Sequence, residues 1–111
     1  MTAGPPVPAG AGTLSAVLPS VLASLGSTRY AARPLLPLAP SRRAVVVLVD
    51  GLGDTLVRRR AGHAPFLRSA LGTAYRLGCG FPSTTATSMG SFGTGLPPGA
   101  HGLVGYEVLV P

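Results

Sequence analysis

The chain has few charged side chains, no lysine and only three acidic residues. Charged residues make up 11% of its 111 positions, against roughly 25% in a typical soluble domain. A chain of this length forms at most one small domain, and such a domain normally exposes more charge than this one has. We therefore expect further polypeptide to cover part of its surface. The absence of lysine also excludes the Gly-x-x-x-x-Gly-Lys loop of P-loop nucleotide enzymes.

The only cysteine is Cys79, which excludes an internal disulfide framework and a cysteine zinc site. Its position in a predicted strand favours a buried structural thiol. No uninterrupted apolar run reaches the roughly 18 residues of a membrane span. Residues 1–12 are interrupted by proline and glycine and lack the positive n-region of a signal peptide. We therefore expect no membrane span and a cytoplasmic location.

All nine basic residues are arginine, and the net charge is +6. A basic chain of this kind can bind nucleic acid or another polyanion. However, the arginines form a run only at residues 58–60, and no aromatic side chains alternate with them, as a base-stacking surface requires. We expect this run to be a solvated helix face and nucleic acid not to be a partner. A small basic polyanion-binding module remains an alternative.

Three regions follow one another along the chain. Residues 1–12 form a Pro/Gly/Ala-rich tail that we predict to be disordered. Residues 13–40 comprise a helix with apolar residues at three-four spacing, begun by Thr13 and ended by Gly26, and then an extended proline-rich connector. Pro19 should kink or split that helix. Residues 41–111 are predicted to be the N-terminal part of an α/β domain.

The third region alternates strand-like and helix-like segments. Residues 44–49 are an unbroken apolar and mostly β-branched run, typical of a strand buried on both faces of a parallel sheet. Residues 55–60 and 64–72 are predicted helices, and residues 73–79 are a candidate second strand. Residues 81–95 begin as a Ser/Thr-rich turn and continue as a helix, and the last ten residues form a loop that enters another strand. This order predicts an open α/β sheet that is incomplete within the chain.

Asp50 directly follows the first predicted strand. Functional groups in open α/β sheets collect at the carboxyl ends of the strands, and a carboxylate there is a suitable hard-oxygen ligand for a divalent cation. Gly51 and Gly53 would allow a tight turn and a close approach of the backbone to a ligand. A helix cap is the other interpretation of Asp50, and this pattern alone does not decide between the two.

A cluster of hydroxyl side chains precedes the last predicted helix, at Ser83, Thr84, Thr85 and Thr87. A hydroxyl group at such a position lies near unpaired backbone N–H groups and the positive end of the helix dipole, which bind phosphate. A threonine hydroxyl would still need activation, which a metal ion can supply. The alternative is a helix N-cap flanked by additional hydroxyl residues. A serine-hydrolase elbow is excluded because no Gly-x-Ser-x-Gly stands between strand and helix.

The segment Thr94-Gly-Leu-Pro-Pro-Gly-Ala-His-Gly102 follows that helix. Gly95 and the Pro-Pro-Gly turn are expected to end the helix and reverse the chain. His101 could be a ligand, a substrate contact or a turn residue, and we favour the turn residue.

Together these segments resemble the nucleotide pyrophosphatase/phosphodiesterase branch of the alkaline phosphatase superfamily. The family pattern is an apolar strand ending in Asp-Gly, Pro-x-Leu on a short helix, Phe-Pro-(Ser/Thr)-x-Thr, and then Thr-Gly-x-x-Pro-x-x-His-Gly. The corresponding segments here are Val49-Asp-Gly51, Pro65-Phe-Leu67, Phe81-Pro-Ser-Thr-Thr85 and the segment 94–102. They follow the family order and spacing over about residues 42–106.

The resemblance implies an alkaline-phosphatase-like three-layer α/β/α sandwich, of which this chain holds the N-terminal portion with an incomplete sheet. It implies that Thr85 is the catalytic nucleophile, itself metal-bound and forming a covalent phosphoenzyme, and that Asp50 is a metal ligand. Thr84 is the competing nucleophile if the register shifts by one residue. Ser88 stands where the family often has an asparagine that binds a phosphoryl oxygen of the substrate. Met89 replaces a frequent histidine, which leaves the substrate preference open.

The resemblance also implies two divalent metal ions, usually zinc, held by Asp and His ligands that mostly lie downstream of the nucleophile. Neither His63 nor His101 occupies such a ligand position, Asp54 is expected to be a first-turn helix charge, and Glu107 has no assigned role. We therefore expect a fragment of a metal-dependent hydrolase of phosphodiester or nucleotide pyrophosphate bonds, inactive when alone.

The substrate that the resemblance implies is a small phosphoester or nucleotide. Phosphomonoesterase, phosphonate hydrolase and sulfatase-like activities are close relatives of the proposed reaction. A polyanion-binding module and a non-catalytic remnant are the alternatives from other functional classes, and the sequence predicts no oligomeric state.

Overall fold

The computed structural model describes residues 4–106, which contain five α-helices and two 3-10 turns. The first 3-10 turn, Leu14–Ala16, leads into α1, Val17–Ser24. Helix α2 spans Asp54–Arg59, the second 3-10 turn Ala61–His63, and α3 Pro65–Ala70. Helix α4 spans Thr85–Thr94, and the single-turn α5 spans Pro98–His101. Two compact units result, one built mainly from Val46–Arg76 and the other from Pro8–Val45 with residues 77–106.

The predicted N-terminal helix is divided into the first 3-10 turn and α1, and the division lies just before Pro19. Pro19 is the third residue of α1, where its missing N–H costs no helical hydrogen bond because first-turn donors are unpaired anyway. The buried residues of this segment are Ala16, Pro19 and Ser20, whereas Leu22 and Leu25 are exposed. Pro19 and Ser20 therefore form the buried face of α1, and Leu22 lies outside it.

Ser20 attaches the proline-rich connector to this buried face. Its buried hydroxyl donates to the carbonyl of Ala16 and accepts the backbone N–H of Leu36 at 2.9 Å. Leu36 is itself buried, at 6% exposure. Further along, the N–H of Ser41 donates to the carbonyl of Ser24 at 2.8 Å. The connector thus returns along α1 instead of leading away from it.

The two helices predicted in the middle of the chain are confirmed. Helix α2 begins at Asp54, which carries the first-turn negative charge that favours a helix N-terminus. Helix α3 has Pro65 in its first turn, as its fixed φ angle favours. Leu71, directly after α3, is a buried apolar residue of this unit at 7% exposure.

The strand predictions at residues 44–49 and 73–79 are wrong for the structure. Residues 43–49 have no regular secondary structure and are exposed throughout; Val45 is 90% exposed. A strand needs a neighbouring strand to pair its N–H and C=O groups, and the residues between 4 and 106 supply none. The sheet of the predicted α/β fold is therefore not formed in this part of the chain. The strand predicted at the end of the chain lies outside the described residues.

One isolated parallel bridge joins Thr13 and Gly78. Gly78 donates its N–H to the carbonyl of Gly12 at 2.8 Å and accepts the N–H of Leu14 at 3.1 Å. Ala11, within the tail predicted to be disordered, is fully buried. The end of that tail therefore has defined contacts with the segment that leads into α4.

The interpretation of Cys79 as a buried thiol in a strand is also wrong, since Cys79 is exposed. The bridge at Gly78 pairs a single residue, so no sheet covers the next side chain. None of the helices between residues 4 and 106 is long and apolar enough to cross a membrane.

Candidate functional site

Helix α4 begins with a threonine cap. Thr84 has extended backbone angles, and its Oγ1 accepts the N–H of Thr87 at 3.3 Å, the bond by which a threonine N-cap stabilises the first turn. The hydroxyl of Thr84 also donates to Oγ1 of Thr87 at 2.9 Å, and Thr87 is completely buried. Both hydrogen-bonding functions of Thr84 are therefore used within the first turn.

The faces of α4 differ in what they expose. Thr85 is the first helical residue and is exposed, and Met89, one turn later, is 48% exposed. Ser88 is half-buried and adjoins Thr85 because residues three apart share a helix face. Thr87 and Ser91 are buried on another face. The predicted site residues Thr85 and Ser88 are thus brought together on the exposed side of one helix.

His101 contacts the buried side of α4 from the end of α5. The N–H of Leu103 donates to its Nδ1 at 3.0 Å, and its Nε2 lies 2.9 Å from Oγ of Ser91. Because Nδ1 accepts, the hydrogen of the neutral ring belongs on Nε2, which donates to Ser91. His101 is the last residue of the single-turn α5, and its ring links that turn to α4.

Gly90 makes room for this ring. A Cβ atom at Gly90 would lie 2.9 Å from Cε1 of His101 and 2.9 Å from Cδ1 of Leu103. Carbon atoms of different side chains pack at about 3.5–4.0 Å, so a larger residue at position 90 would displace the imidazole.

The C-terminal end of α4 is also held. Gly95 has a φ angle of +68°, in the left-handed region that favours glycine at a helix end. Its carbonyl accepts a hydrogen bond from Nη2 of Arg33 at 2.6 Å. A Cβ atom at position 95 would lie only 2.9 Å from Cγ of Pro19. As predicted, Gly95 ends the helix.

Asp50 belongs to the other unit, where it follows the irregular residues 43–49 in a turn and is exposed. The turn continues through Gly51, which has a φ angle of +75° and so adopts a conformation that other residues rarely take. The N–H of Leu52 donates weakly to the carbonyl of Val49 at 3.4 Å. Asp50 begins no helix, because the N-cap of α2 is Gly53.

Asp54 is held by two arginines. Nε of Arg58 lies 3.0 Å and 2.9 Å from the two carboxylate oxygens, and Nε of Arg76 lies 3.2 Å from one of them. The hydrogen bond from Arg58 holds the pKa of Asp54 below its ordinary value of 3.8, and the charges of Arg58 and Arg76 lower it further. Asp54 is therefore a structural carboxylate, as its position in the first helical turn predicted.

The implied metal ions need more ligands than the described chain provides. Asp50 and Thr85 offer hard oxygen donors of the right kind, but a zinc ion takes four ligands. No group of three or more His, Cys, Asp or Glu side chains that could hold a metal occurs among residues 4–106. His63 is exposed in the second 3-10 turn, and Glu107 lies outside the described residues.

The sequence does not predict Ser91 and Gly90 as partners of His101. The contact depends on the path of the chain through Gly95 and the turn before α5, and no local pattern at Ser91 indicates it. The available signal was weak, a small residue next to a hydroxyl residue on the side of α4 opposite Thr85.

Comparison with known proteins gives a family match over this part of the chain. The sequence profile of the type I phosphodiesterase / nucleotide pyrophosphatase family matches residues 44–111, which include Asp50, all of α4 and His101. Neither the curated proteins nor the solved structures contain a match to the chain. Because the family match covers more than half of the sequence, the chain belongs to the type I phosphodiesterase / nucleotide pyrophosphatase family, within the alkaline phosphatase superfamily.

Proposed function

We propose that this chain supplies the nucleophile-bearing part of a metal-dependent hydrolase of phosphodiester or nucleotide pyrophosphate bonds. Thr85 is the nucleophile and Asp50 is a metal ligand. The single observation that carries the proposal is the start of α4, where Thr84 caps the helix and Thr85 stands exposed beside it, within a family of phosphodiesterases.

The choice of Thr85 over Thr84 is supported by hydrogen bonding. The Thr84 hydroxyl donates to Oγ1 of Thr87 and accepts the N–H of the same residue. An attack by Thr84 on phosphorus would break both bonds and uncap α4. Thr85 lies at the positive end of the helix dipole, which favours an anionic substrate and an alkoxide.

The reaction would proceed by two displacements at phosphorus. In the first, Oγ1 of Thr85 forms a bond to phosphorus and the bond from phosphorus to the leaving oxygen breaks. The proton lost from the Thr85 hydroxyl balances the proton that the leaving oxygen takes up from solvent. In the second, the oxygen of a water molecule forms a bond to phosphorus and the bond from phosphorus to Oγ1 of Thr85 breaks. A proton from that water restores the Thr85 hydroxyl, and the phosphate product leaves. Ser88, one turn along the same face, would donate its hydroxyl to a phosphoryl oxygen.

Asp50 and Thr85 would each give one oxygen ligand to divalent cations, which we propose to be two zinc ions. Such cations favour ionisation of a bound hydroxyl group and neutralise charge on the phosphoryl group. Since these two side chains fall short of the ligands needed, the other ligands would come from further polypeptide.

Complementation tests the proposal. The chain is mixed with a separately produced downstream portion of a family phosphodiesterase and zinc, and hydrolysis of a phosphodiester is followed. We expect restored turnover that Thr85→Ala lowers by roughly a thousandfold or more, and phosphate trapped on Thr85 in mass spectra. Thr84→Ala, which removes the cap of α4 but keeps the hydroxyl of Thr85, should lower turnover far less than Thr85→Ala does. Equal restoration by the Thr85→Ala chain would refute the nucleophile assignment.

A polyanion-binding module is the second candidate, and the net charge of +6 favours it. Two of the nine arginines, Arg58 and Arg76, are engaged by Asp54. Binding of single-stranded nucleic acid by the chain, weakening steeply with salt, would support this candidate over the enzyme.

A further inference from the structure

We propose that His101 is a positioning residue, which fixes the orientation of α4 through Ser91 and thereby orients Thr85. The inference rests on the proposed function only for the role of Thr85. The contact itself is a property of the fold.

His101 contacts α4 at two points and the segment after α5 at a third. Its Nε2 bonds Oγ of Ser91 at 2.9 Å, its Nδ1 accepts the N–H of Leu103 at 3.0 Å, and its Cε1 occupies the space that a side chain at Gly90 would fill. The imidazole therefore links the middle of α4 to the segment after α5.

The Ser91 hydroxyl depends on this ring. Ser91 is 3% exposed, so it has little access to water, and a buried hydroxyl without a partner is destabilising. A ring of the same size without a donor would fill the space but would remove the hydrogen bond that links it to Ser91. Position 101 therefore needs hydrogen bonding at two separate points as well as bulk.

The helix transmits the constraint to its first residue. Six positions separate Thr85 from Ser91, which corresponds to about 9 Å along the helix axis and roughly 240° around it. The two side chains thus point to different sides of one rigid element. A rotation of α4 that releases Ser91 would turn Thr85 by the same angle.

Two substitutions separate the hydrogen bonds of the ring. His101→Gln reaches the Nε2 position with an amide N–H and can still donate to Ser91, but it loses the acceptor for Leu103. His101→Asn offers a carbonyl at the Nδ1 position and keeps Leu103, but it is too short for Ser91. Ser91→Ala removes only the hydroxyl and leaves the packing of the ring intact. It therefore tests the same hydrogen bond in a chain that keeps His101 and is less prone to misfold.

The readouts are backbone amide hydrogen exchange of α4, measured by mass spectrometry on the 111-residue chain, and ¹⁵N shifts of its two histidines. We expect exchange in residues 85–91 to accelerate about fivefold to tenfold in His101→Asn and Ser91→Ala, and to stay within about twofold in His101→Gln. Native His101 should show hydrogen on Nε2 alone. His63→Asn, at the exposed histidine, assigns the resonances and should leave α4 unchanged.

Equal exchange in the Gln and Asn variants would overturn the proposal, because the bond to Ser91 would then carry no constraint. A mixed tautomer signal for native His101 would overturn it as well. Neither readout depends on turnover, so a failed nucleophile assignment would leave the exchange results standing and would remove only their catalytic meaning.

Discussion

Asp50 and Asp54 lie four positions apart and have different chemical surroundings. Asp54 is compensated by Arg58 and Arg76, and a cation would have to displace these guanidinium groups to bind it. Asp50 is exposed in a turn with a left-handed glycine next to it. The role of Asp54 could be predicted because a first-turn charge and an i,i+4 partner are local features. The surroundings of Asp50 could not, because the strand predicted before it depends on distant pairing.

The lowered pKa of Asp54 has a consequence for acid stability. A carboxyl group whose pKa is lower in the folded state than in the unfolded state stabilises the fold above the unfolded value and loses that contribution as pH falls through the folded value. We expect the melting temperature of the chain to fall as pH drops below 3.8, and to fall less in Asp54→Asn. Arg58→Met should resemble Asp54→Asn, because the hydrogen bond from Arg58 is the largest cause of the shift. Identical acid profiles for all three proteins would contradict this.

Among the elements, α4 has the best defined ends. Its start at Thr84 and Thr85 and its stop at Gly95 could be predicted, because a threonine cap and a left-handed glycine act within one turn. The contacts that hold its middle and its C-terminal end, from His101 and Arg33, could not be predicted. Both side chains come from other segments, and Arg33 lies 62 positions before the carbonyl that it binds.

The cap of α4 can be tested by substitution. Thr84→Ala removes the acceptor for the Thr87 N–H and the donor to its hydroxyl, and we expect the free energy of unfolding in urea to fall by about 1 kcal/mol. Thr84→Ser should keep most of it. Ser83→Ala, at the neighbouring exposed residue, is the control and should change little. A loss as large in Ser83→Ala would show that the cap is not the cause.

At the scale of the whole molecule, the apolar run at residues 45–49 is the main departure from the sequence prediction. Its β-branched composition has a strand preference, but five consecutive aliphatic side chains remain 41–90% exposed. Composition identifies such a segment, whereas pairing requires another strand at the correct position. The helices need only neighbours within a few residues, so they form where they were predicted.

Exposed runs of this kind associate with each other. We expect the 111-residue chain to self-associate with rising concentration, and Val47→Lys to reduce this, because a charge in the run opposes strand stacking. Sedimentation velocity measures the effect. Val104→Lys adds the same charge at another exposed valine and should reduce association less. If both substitutions reduced self-association equally, net charge and not the apolar run would be the cause.

The shortage of metal ligands among residues 4–106 has a consequence for the activity of the isolated chain. We expect the purified chain, with zinc added, to hydrolyse a phosphodiester no faster than the buffer does, because Asp50 and Thr85 cannot complete the coordination of two cations. Zinc-dependent turnover that Thr85→Ala abolishes would show that the chain provides a complete site by itself.

The bridge between Thr13 and Gly78 has a practical consequence. The bridge holds one end of the short loop at residues 79–83, and the Thr84 cap holds the other end. The exposed thiol of Cys79 lies directly after the bridge. Because the chain has no other cysteine, a nitroxide or fluorescent maleimide would attach there without any engineered mutation. The tumbling of that label would report how tightly the approach to Thr85 is held, and whether it tightens when phosphate or a complementing polypeptide is added.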